Sequence, residues 1–237
     1  MGTNYVFKRV EKKYQLNEEK YQSFLAQISP YVVSDIYGEY KICNIYFDTD
    51  NYDLISKSIE KPVYKEKFRL RSYGTPLEDD FVFLELKKKY KGEVFKRRIM
   101  LTLAEARDYL NNNEMPGGRT QITKEIDYFR DFYNPKPKVY LAYDRIAYVA
   151  KDNPEVRITF DKNVRYRTYD LLLSKGDYGE RLTNEGMYLL EIKTLGTMPL
   201  WLVKALSQNK IYPDSFSKYG EVYKIIKNYN TKEKANV

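Results

Sequence analysis

Eight segments of this chain alternate apolar and polar side chains with a period of two, and that alternation restricts its fold more than any other feature. It predicts strands over about residues 6–14, 41–48, 65–73, 81–89, 93–100, 139–149, 155–165 and 187–194. Turn-forming residues separate them, such as Lys91-Gly92 between the fourth and fifth and Asp152-Asn153-Pro154 between the sixth and seventh. Helical periodicity fills the gaps. Asn17 ahead of Glu18 and Glu19 opens a helix with a Tyr21, Phe24, Leu25 and Ile28 stripe, and Thr102-Leu103-Ala104-Glu105 is a capping box. Ile122, Ile126 and Phe129 mark a third helix, and residues 199–208 and 217–229 form two more. Many strands with interspersed helices and no regular alternation predict an α+β fold with a mainly antiparallel sheet. Eight strands suffice to close a β-barrel that leaves no edge exposed. No repeat or linker interrupts the chain, so residues 1–237 are read as one domain whose polar tail, 228–237, frays.

Sorting each strand by parity shows where the charge goes. One face of 65–73 carries Lys65, Lys67, Arg69 and Arg71, and the other carries Phe68 and Leu70. Strand 81–89 sets Glu85, Lys87 and Lys89 against Val82, Leu84 and Leu86, while 93–100 groups Val94, Lys96 and Arg98. Arg157, Thr159 and Asp161 share a face, as do Leu189, Glu191 and Lys193, and Arg9, Glu11 and Lys13. For any one strand the plain reading is an apolar face on the core and a charged face in water. Consecutive strands so rich in Arg and Lys weaken that reading. If the sheet closes with these faces inward, the lumen holds many cations and few acids, and it is stable only when a polyanion and a divalent cation fill it. That points to a phosphate chain.

Composition removes other chemistries. The chain has no histidine and one cysteine, Cys43, which excludes Ser-His-Asp and Cys-His nucleophiles, disulfides, and zinc held by His or Cys. Any metal must sit on oxygen ligands. The formal net charge is +8 and there are 25 tyrosines, a balance suited to nucleic acid, nucleotide, phosphoinositide or an acidic membrane surface. Alternation splits Lys87-Lys88-Lys89 and Lys96-Arg97-Arg98 across two faces, which argues against a continuous nucleic-acid patch. Ser217-Lys218-Tyr219 opens a helix whose N-terminus favours an anion, with a plain N-cap the equal alternative. Glu85 and Glu191 read as a carboxylate pair for catalysis or metal, or as salt-bridge partners of neighbouring cations. Tyr46 and Tyr143, on polar faces, could stack a nucleobase. No stretch is a membrane span and Met1-Gly2-Thr3-Asn4 opens no signal peptide, so the expected location is cytoplasmic.

An ordered set of short motifs resembles a known family. It comprises Arg9-Val-Glu11-Lys-Lys13-Tyr14, Ile45-Tyr46-Phe47-Asp48-Thr49, Arg69-Leu70-Arg71-Ser72-Tyr73-Gly74, Glu85-Leu86-Lys87 and Lys96-Arg97-Arg98. Tyr143-Asp144-Arg145, Arg157-Ile158-Thr159-Phe160-Asp161, Leu190-Glu191-Ile192-Lys193 and Phe216-Ser217-Lys218-Tyr219 complete it. Together they resemble the VTC domain, the catalytic domain of the vacuolar transporter chaperone polyphosphate polymerase, one of the triphosphate tunnel metalloenzymes. The resemblance runs from about residue 5 to 225.

The resemblance implies an eight-stranded antiparallel β-barrel tunnel decorated with helices. It implies transfer of the ATP γ-phosphate onto a growing polyphosphate chain, with Mn²⁺ or Mg²⁺. Carried over by position, Lys13, Arg69, Arg71, Lys87, Lys96, Arg98 and Arg145 bind phosphates. Tyr143 supports that wall, Ser217 and Lys218 hold phosphate from the last helix, and Lys193 is a further contact. Glu191 holds the metal, and with Arg69, Arg71, Lys96 and Arg145 it makes up the implied catalytic set. ATP, polyphosphate, pyrophosphate and phosphate are the implied partners, nucleic acid is not, and product translocation needs a membrane-embedded partner. Arg9 stands where the wider superfamily has the first glutamate of Glu-x-Glu-x-Lys, a loss of metal ligands that suits the polymerase branch better than the hydrolases. Ser215 stands where eukaryotic polymerases carry a basic residue, one polyphosphate contact fewer. A tunnel triphosphatase and a non-catalytic polyphosphate or inositol-phosphate sensor are the alternatives.

Overall fold

The alternating segments become strands. The computed structural model describes residues 9–235. In chain order they form β1 (Arg9–Leu16), α1 (Glu18–Ile28), β2 (Val32–Asp48), α2 (Asp53–Ile59), β3 (Tyr64–Tyr73), β4 (Phe81–Tyr90) and β5 (Glu93–Thr102). Then come α3 (Leu103–Asn112), α4 (Gln121–Tyr133), β6 (Lys136–Ala150), β7 (Arg157–Arg167), β8 (Glu180–Arg181), β9 (Tyr188–Leu195), α5 (Leu200–Gln208) and α6 (Lys218–Ala235). Each predicted strand is present, and the two-residue β8 is additional. Of the first prediction, residues 6–8 lie outside the described residues, as do 236 and 237 of the tail expected to fray. The α+β class and the large antiparallel sheet are as expected. Among the described residues β1 pairs only with β9 and β5 only with β4, so hydrogen bonds do not close the sheet.

The chain folds as two compact units, each assembled from separate stretches. The first comprises residues up to Tyr40, Tyr143–Val164 and Thr183–Phe216; the second comprises Lys41–Ala142, Arg165–Leu182 and the residues from Ser217 on. In the first, β9 lies between β1 and β7, with Lys13 opposite Glu191 and Thr159 opposite Glu191 on the other side. Tyr14, Leu16, Ile158, Phe160, Leu190 and Ile192 point the other way and bury against Tyr21, Phe24 and Ile28 of α1 and Leu202 and Leu206 of α5. Asn17 caps α1 by accepting from the Lys20 amide at 3.0 Å, as its sequence position predicts.

In the second unit β2, β3, β4 and β5 form a meander. Lys91 (φ 47°) and Gly92 (φ 89°) make the two-residue turn that fixes Tyr90 opposite Glu93 and hence Glu85 opposite Arg98. Phe68, Leu70, Leu84 and Leu86 bury against Ala106 and Tyr109 of α3 and Ile126 and Phe129 of α4. The capping box at Thr102 and Glu105 is formed in both directions. Arg97 leaves on this helix-covered face and meets Glu125 of α4 at 3.0 Å, whereas Lys96 and Arg98 leave on the other.

One buried cation organises the loop after β7. Arg167 is fully buried, with its guanidinium 3.5 Å from the Tyr140 ring centroid and 4.3 Å from that of Tyr178. It donates to the carbonyls of Asp170, Leu172, Gly176 and Tyr178 at 2.7–3.2 Å. A lysine is a point charge without the planar fork, so it would satisfy fewer of these carbonyls and lose the stacking. Arg167→Lys is expected to lower the denaturant midpoint by the equivalent of about 3 kcal/mol, two lost charge-assisted bonds. A midpoint equal to the parent protein's would refute this role.

Among the described residues no helix is long and apolar enough to cross a membrane.

Candidate functional site

The polar face of the second unit carries a cluster of cations around one carboxylate. Register places Tyr46, Arg69, Glu85 and Arg98 in one row across β2 to β5, and Lys67, Lys87 and Lys96 in the adjacent row across β3 to β5. The Glu85 carboxylate is 2 % exposed. Its Oε2 accepts from Arg69 Nε at 2.7 Å, and its Oε1 accepts from Arg98 Nε at 2.7 Å and lies 2.6 Å from Lys96 Nζ. Arg71 Nε is 3.9 Å away. Burial by itself raises the Glu85 carboxyl, but Arg69, Arg71 and Lys96 outweigh it and hold the group far below the ordinary glutamate value. Burial also weakens the charge on Lys96, as do Arg98 and Arg69, while Glu85 opposes them.

Exposure divides the cluster by task. The side chains of Arg71, Arg69, Arg98 and Lys96 are 9, 23, 34 and 44 % exposed. A ligand reaches the last three, while Arg71 is buried and donates to Asn44 Oδ1 at 3.0 Å. Among the described residues of β3 to β5 the face therefore sets Lys67, Lys87, Lys96, Arg69, Arg71 and Arg98 against one acid, Glu85. Lys67, Lys87 and Lys96 stand directly opposite one another on neighbouring strands, where like charges repel, and Glu85 offsets this at Lys96.

The start of α6 belongs to this face. Ser217 Oγ accepts from the Gly220 amide at 3.3 Å, so it is an N-cap, and it also accepts from Lys67 Nζ at 3.1 Å. Lys218 is the first residue of the helix. Tyr219 fixes the helix in place: its hydroxyl donates to Asp48 Oδ2 at 2.8 Å, and its ring stacks on Tyr46 at 4.6 Å. Asp48 also accepts from the amides of Leu54 and Ile55 at 2.9 and 3.0 Å, so one buried carboxylate ends β2, caps α2 and anchors α6. Tyr46 is already stacked and Tyr143 is buried under Arg145, so neither ring is open for a nucleobase as the sequence suggested.

The first unit has a second polar face. Glu191 meets Lys193 at 2.5 Å, and Glu11 lies 3.4 Å from Lys13, which is opposite Glu191. Burial raises the Glu191 carboxyl, but Lys193, Lys13 and Arg145 together bring it down to about 2. Arg145 donates Nε and Nη2 to the two oxygens of Asp161 at 2.6 and 2.8 Å, with its guanidinium 5.2 Å from the Tyr143 ring centroid. Thr159 Oγ1, on the strand beside Glu191, is buried without a hydrogen-bond partner.

Among the described residues no group of three or more His, Cys, Asp or Glu is arranged to hold a metal. The donors present are single carboxylate and hydroxyl oxygens. In donor chemistry that set would suit a hard divalent cation held by one carboxylate. It does not fit a cage made by the protein.

The resemblance implies one site for twelve residues, of which Arg69, Arg71, Lys87, Lys96, Arg98, Ser217 and Lys218 belong to the second unit and Lys13, Tyr143, Arg145, Glu191 and Lys193 to the first. The sequence names Tyr46 only as a stacking ring, and it selects neither Lys67 nor Arg157, which faces the same way as Thr159 and pairs with Lys193. It left Glu85 as one option among two, although the turn at Lys91-Gly92 already set that residue against Arg98.

A family model described as the VTC domain matches residues 8–227. No curated protein matches the sequence. Among solved structures, a candidate adenylate cyclase from Bacillus halodurans is similar with a TM-score of 0.55 and 16 % identity, over 88 % of this chain and 93 % of that one. A candidate adenylyl cyclase from Hippeastrum, described as having a dominant triphosphatase activity, gives 0.49 and 16 %, over 90 % and 93 %. A candidate adenylate cyclase from Vibrio parahaemolyticus gives 0.47 and 12 %, over 92 % and 98 %. The first supports a shared fold.

Proposed function

The chain belongs to the VTC domain family, and from that premise we propose that it transfers the γ-phosphate of ATP to the end of an inorganic polyphosphate chain. The observation that carries this reading is the face on which Arg69, Arg71, Lys96 and Arg98 gather at the Glu85 carboxylate, with Lys67 and Lys87 in the adjacent row. Such a face suits a ligand with a negative charge at every repeat. In this reading Arg69, Lys96 and Arg98 grip phosphate oxygens, and the two guanidinium groups can do so bidentately. Arg71 adds charge from beneath, Lys67 and Lys87 extend the track, and Ser217 and Lys218 present the N-terminus of α6. By the family resemblance Lys13, Arg145 and Lys193 bind phosphate too, and Tyr143 braces Arg145.

An oxygen of the acceptor phosphate attacks the γ-phosphorus in line, the bridging bond to the β-phosphate breaks, and ADP leaves with the electron pair. No protein nucleophile is required, which suits a chain without histidine. The protein's part is to align the two phosphates and to neutralise charge that develops between them. Glu191 would hold a Mn²⁺ or Mg²⁺ ion, which supplies further charge neutralisation when bound. The small number of carboxylates favours the polymerase over a triphosphatase. ATP, polyphosphate, and phosphate or pyrophosphate as primer are the proposed partners. The work is placed in the cytoplasm, with translocation left to a membrane-embedded partner protein.

Incubation with ATP and Mn²⁺ followed by gel electrophoresis stained for polyphosphate tests the reading. Long chains with matching ADP are expected. ADP and phosphate without chains would instead establish a triphosphatase, and tight polyphosphate binding without turnover a sensor. Arg69→Ala removes one charge-assisted grip, so the nucleotide dissociation constant should rise roughly tenfold to a hundredfold. A constant unchanged by the substitution, measured by calorimetry, would remove Arg69 from the binding set.

A further inference from the structure

The phenol of Tyr46 is not accounted for by any role above. It is buried on the cation face, and its hydroxyl oxygen accepts a hydrogen bond from Arg69 Nη1 at 3.1 Å. We propose that Tyr46 is a positioning residue, its hydroxyl fixing the Arg69 guanidinium that grips phosphate, and that anion binding at Arg69 is coupled to the protonation of that hydroxyl. This rests on the phosphate-binding reading of the face.

The groups around the hydroxyl explain the coupling. On β3, Arg69, Lys67 and Arg71 all bear on Tyr46, and on β4 the Glu85 carboxylate lies behind Arg69 at 2.6 Å. On α6, Tyr219 covers the ring but commits its hydroxyl to Asp48. On β2 itself, Asn44 is engaged with Arg71, and Asp48 with amides of α2. Burial alone would raise the phenol, yet Arg69, then Lys67 and Arg71, bring it down to about 8. In the ligand-free protein, then, the hydroxyl ionises near pH 8 because cations surround it.

A bound phosphate chain reverses that environment. Its negative charge opposes the phenolate and offsets the cations around it, so the bound-state value moves upward. The sign follows by linkage: between the free and bound values, binding must take up a proton, and affinity falls up to tenfold per pH unit above about 8. Below that pH the hydroxyl is protonated in both states and the effect vanishes. Lys96 also has a weakened charge on this face. The contribution of Tyr46 must therefore be isolated by substitution.

Titration calorimetry with inorganic tripolyphosphate does so, at pH 7 and pH 9, in two buffers of different ionisation enthalpy. Tyr46→Phe keeps the ring that stacks on Tyr219 and removes only the hydroxyl. Protons taken up by Lys96 or by tripolyphosphate itself cancel in the comparison with the parent protein. At pH 9 the parent protein should take up close to one more proton than the variant, and at pH 7 the two should agree. At pH 7 the variant should also bind several-fold more weakly. Equal proton uptake at pH 9, with binding intact, would overturn the assignment to Tyr46 alone. Tripolyphosphate binding by neither protein would overturn the phosphate-binding reading and this inference with it.

Discussion

Replacing Glu85 with glutamine is expected to lower the stability of the protein by about 3–5 kcal/mol, the usual result of removing one partner from a buried ion cluster. That is a large share of the total for most domains. The carboxylate is buried, and Arg69, Arg98 and Lys96 all lie within 2.7 Å of it. Glutamine keeps the shape but leaves these cations facing one another without a counter-charge, and its amide group must turn donors toward donors. Tripolyphosphate should restore much of the loss, since a ligand at a hundred times its dissociation constant contributes about 2.7 kcal/mol. Urea denaturation with and without tripolyphosphate measures both effects. A variant as stable as the parent would show that the cations need no internal counter-charge.

The same carboxylate sets an acid limit. Its folded-state value is depressed, so its stabilisation is present above the ordinary glutamate value of 4.5. As pH falls below that, the unfolded chain binds a proton that the folded chain refuses, and stability declines. Glu85→Gln should flatten this part of the pH–stability curve.

Much of this site was legible because a sheet writes its two faces into alternate positions. Arg69 and Arg71 against Phe68 and Leu70 needed only parity, and the structure keeps every such assignment in β3, β4 and β5. Which residue meets which is a matter of register, and register is written only where a turn is tight. Lys91-Gly92 fixes Glu85 opposite Arg98. The loop between β3 and β4 is longer, so nothing in the sequence sets Arg69 opposite Glu85.

Other elements were invisible for reasons of the same kind. Helix α2 is preceded by Tyr52, a left-handed residue whose side chain makes no cap, and the amides of Leu54 and Ile55 are satisfied by Asp48 from the end of β2. No local signal announces such a cap. The first half of β2 includes Ile36 and Tyr37, both exposed, so it lacks the alternation of a half-buried strand. The two units share the chain in interleaved pieces, with β2, β6 and β7 each contributing to both, and no change of composition marks where one yields to the other.

Glu191→Gln is expected to reduce turnover on the order of 10²–10³-fold while leaving most nucleotide binding intact, the size seen when one preorganised electrostatic contact is removed. The carboxyl is held down to about 2 by Lys193, Lys13 and Arg145 against its own burial, so it is ionised throughout the working range of pH. It cannot serve there as a general acid, and as a base it is far too weak. Its contribution is charge at a fixed position, which glutamine abolishes without changing shape. The acid limb of the pH–rate profile should accordingly owe nothing to this group above about pH 4. Steady-state kinetics with ATP, together with Mn²⁺ affinity from electron paramagnetic resonance, separate two ways in which the charge could act. If both turnover and Mn²⁺ affinity fall, Glu191 is the metal ligand. If turnover falls with Mn²⁺ affinity unchanged, the carboxylate acts by orienting Lys193, 2.5 Å away, toward phosphate. Full turnover in the variant would remove Glu191 from the reaction altogether.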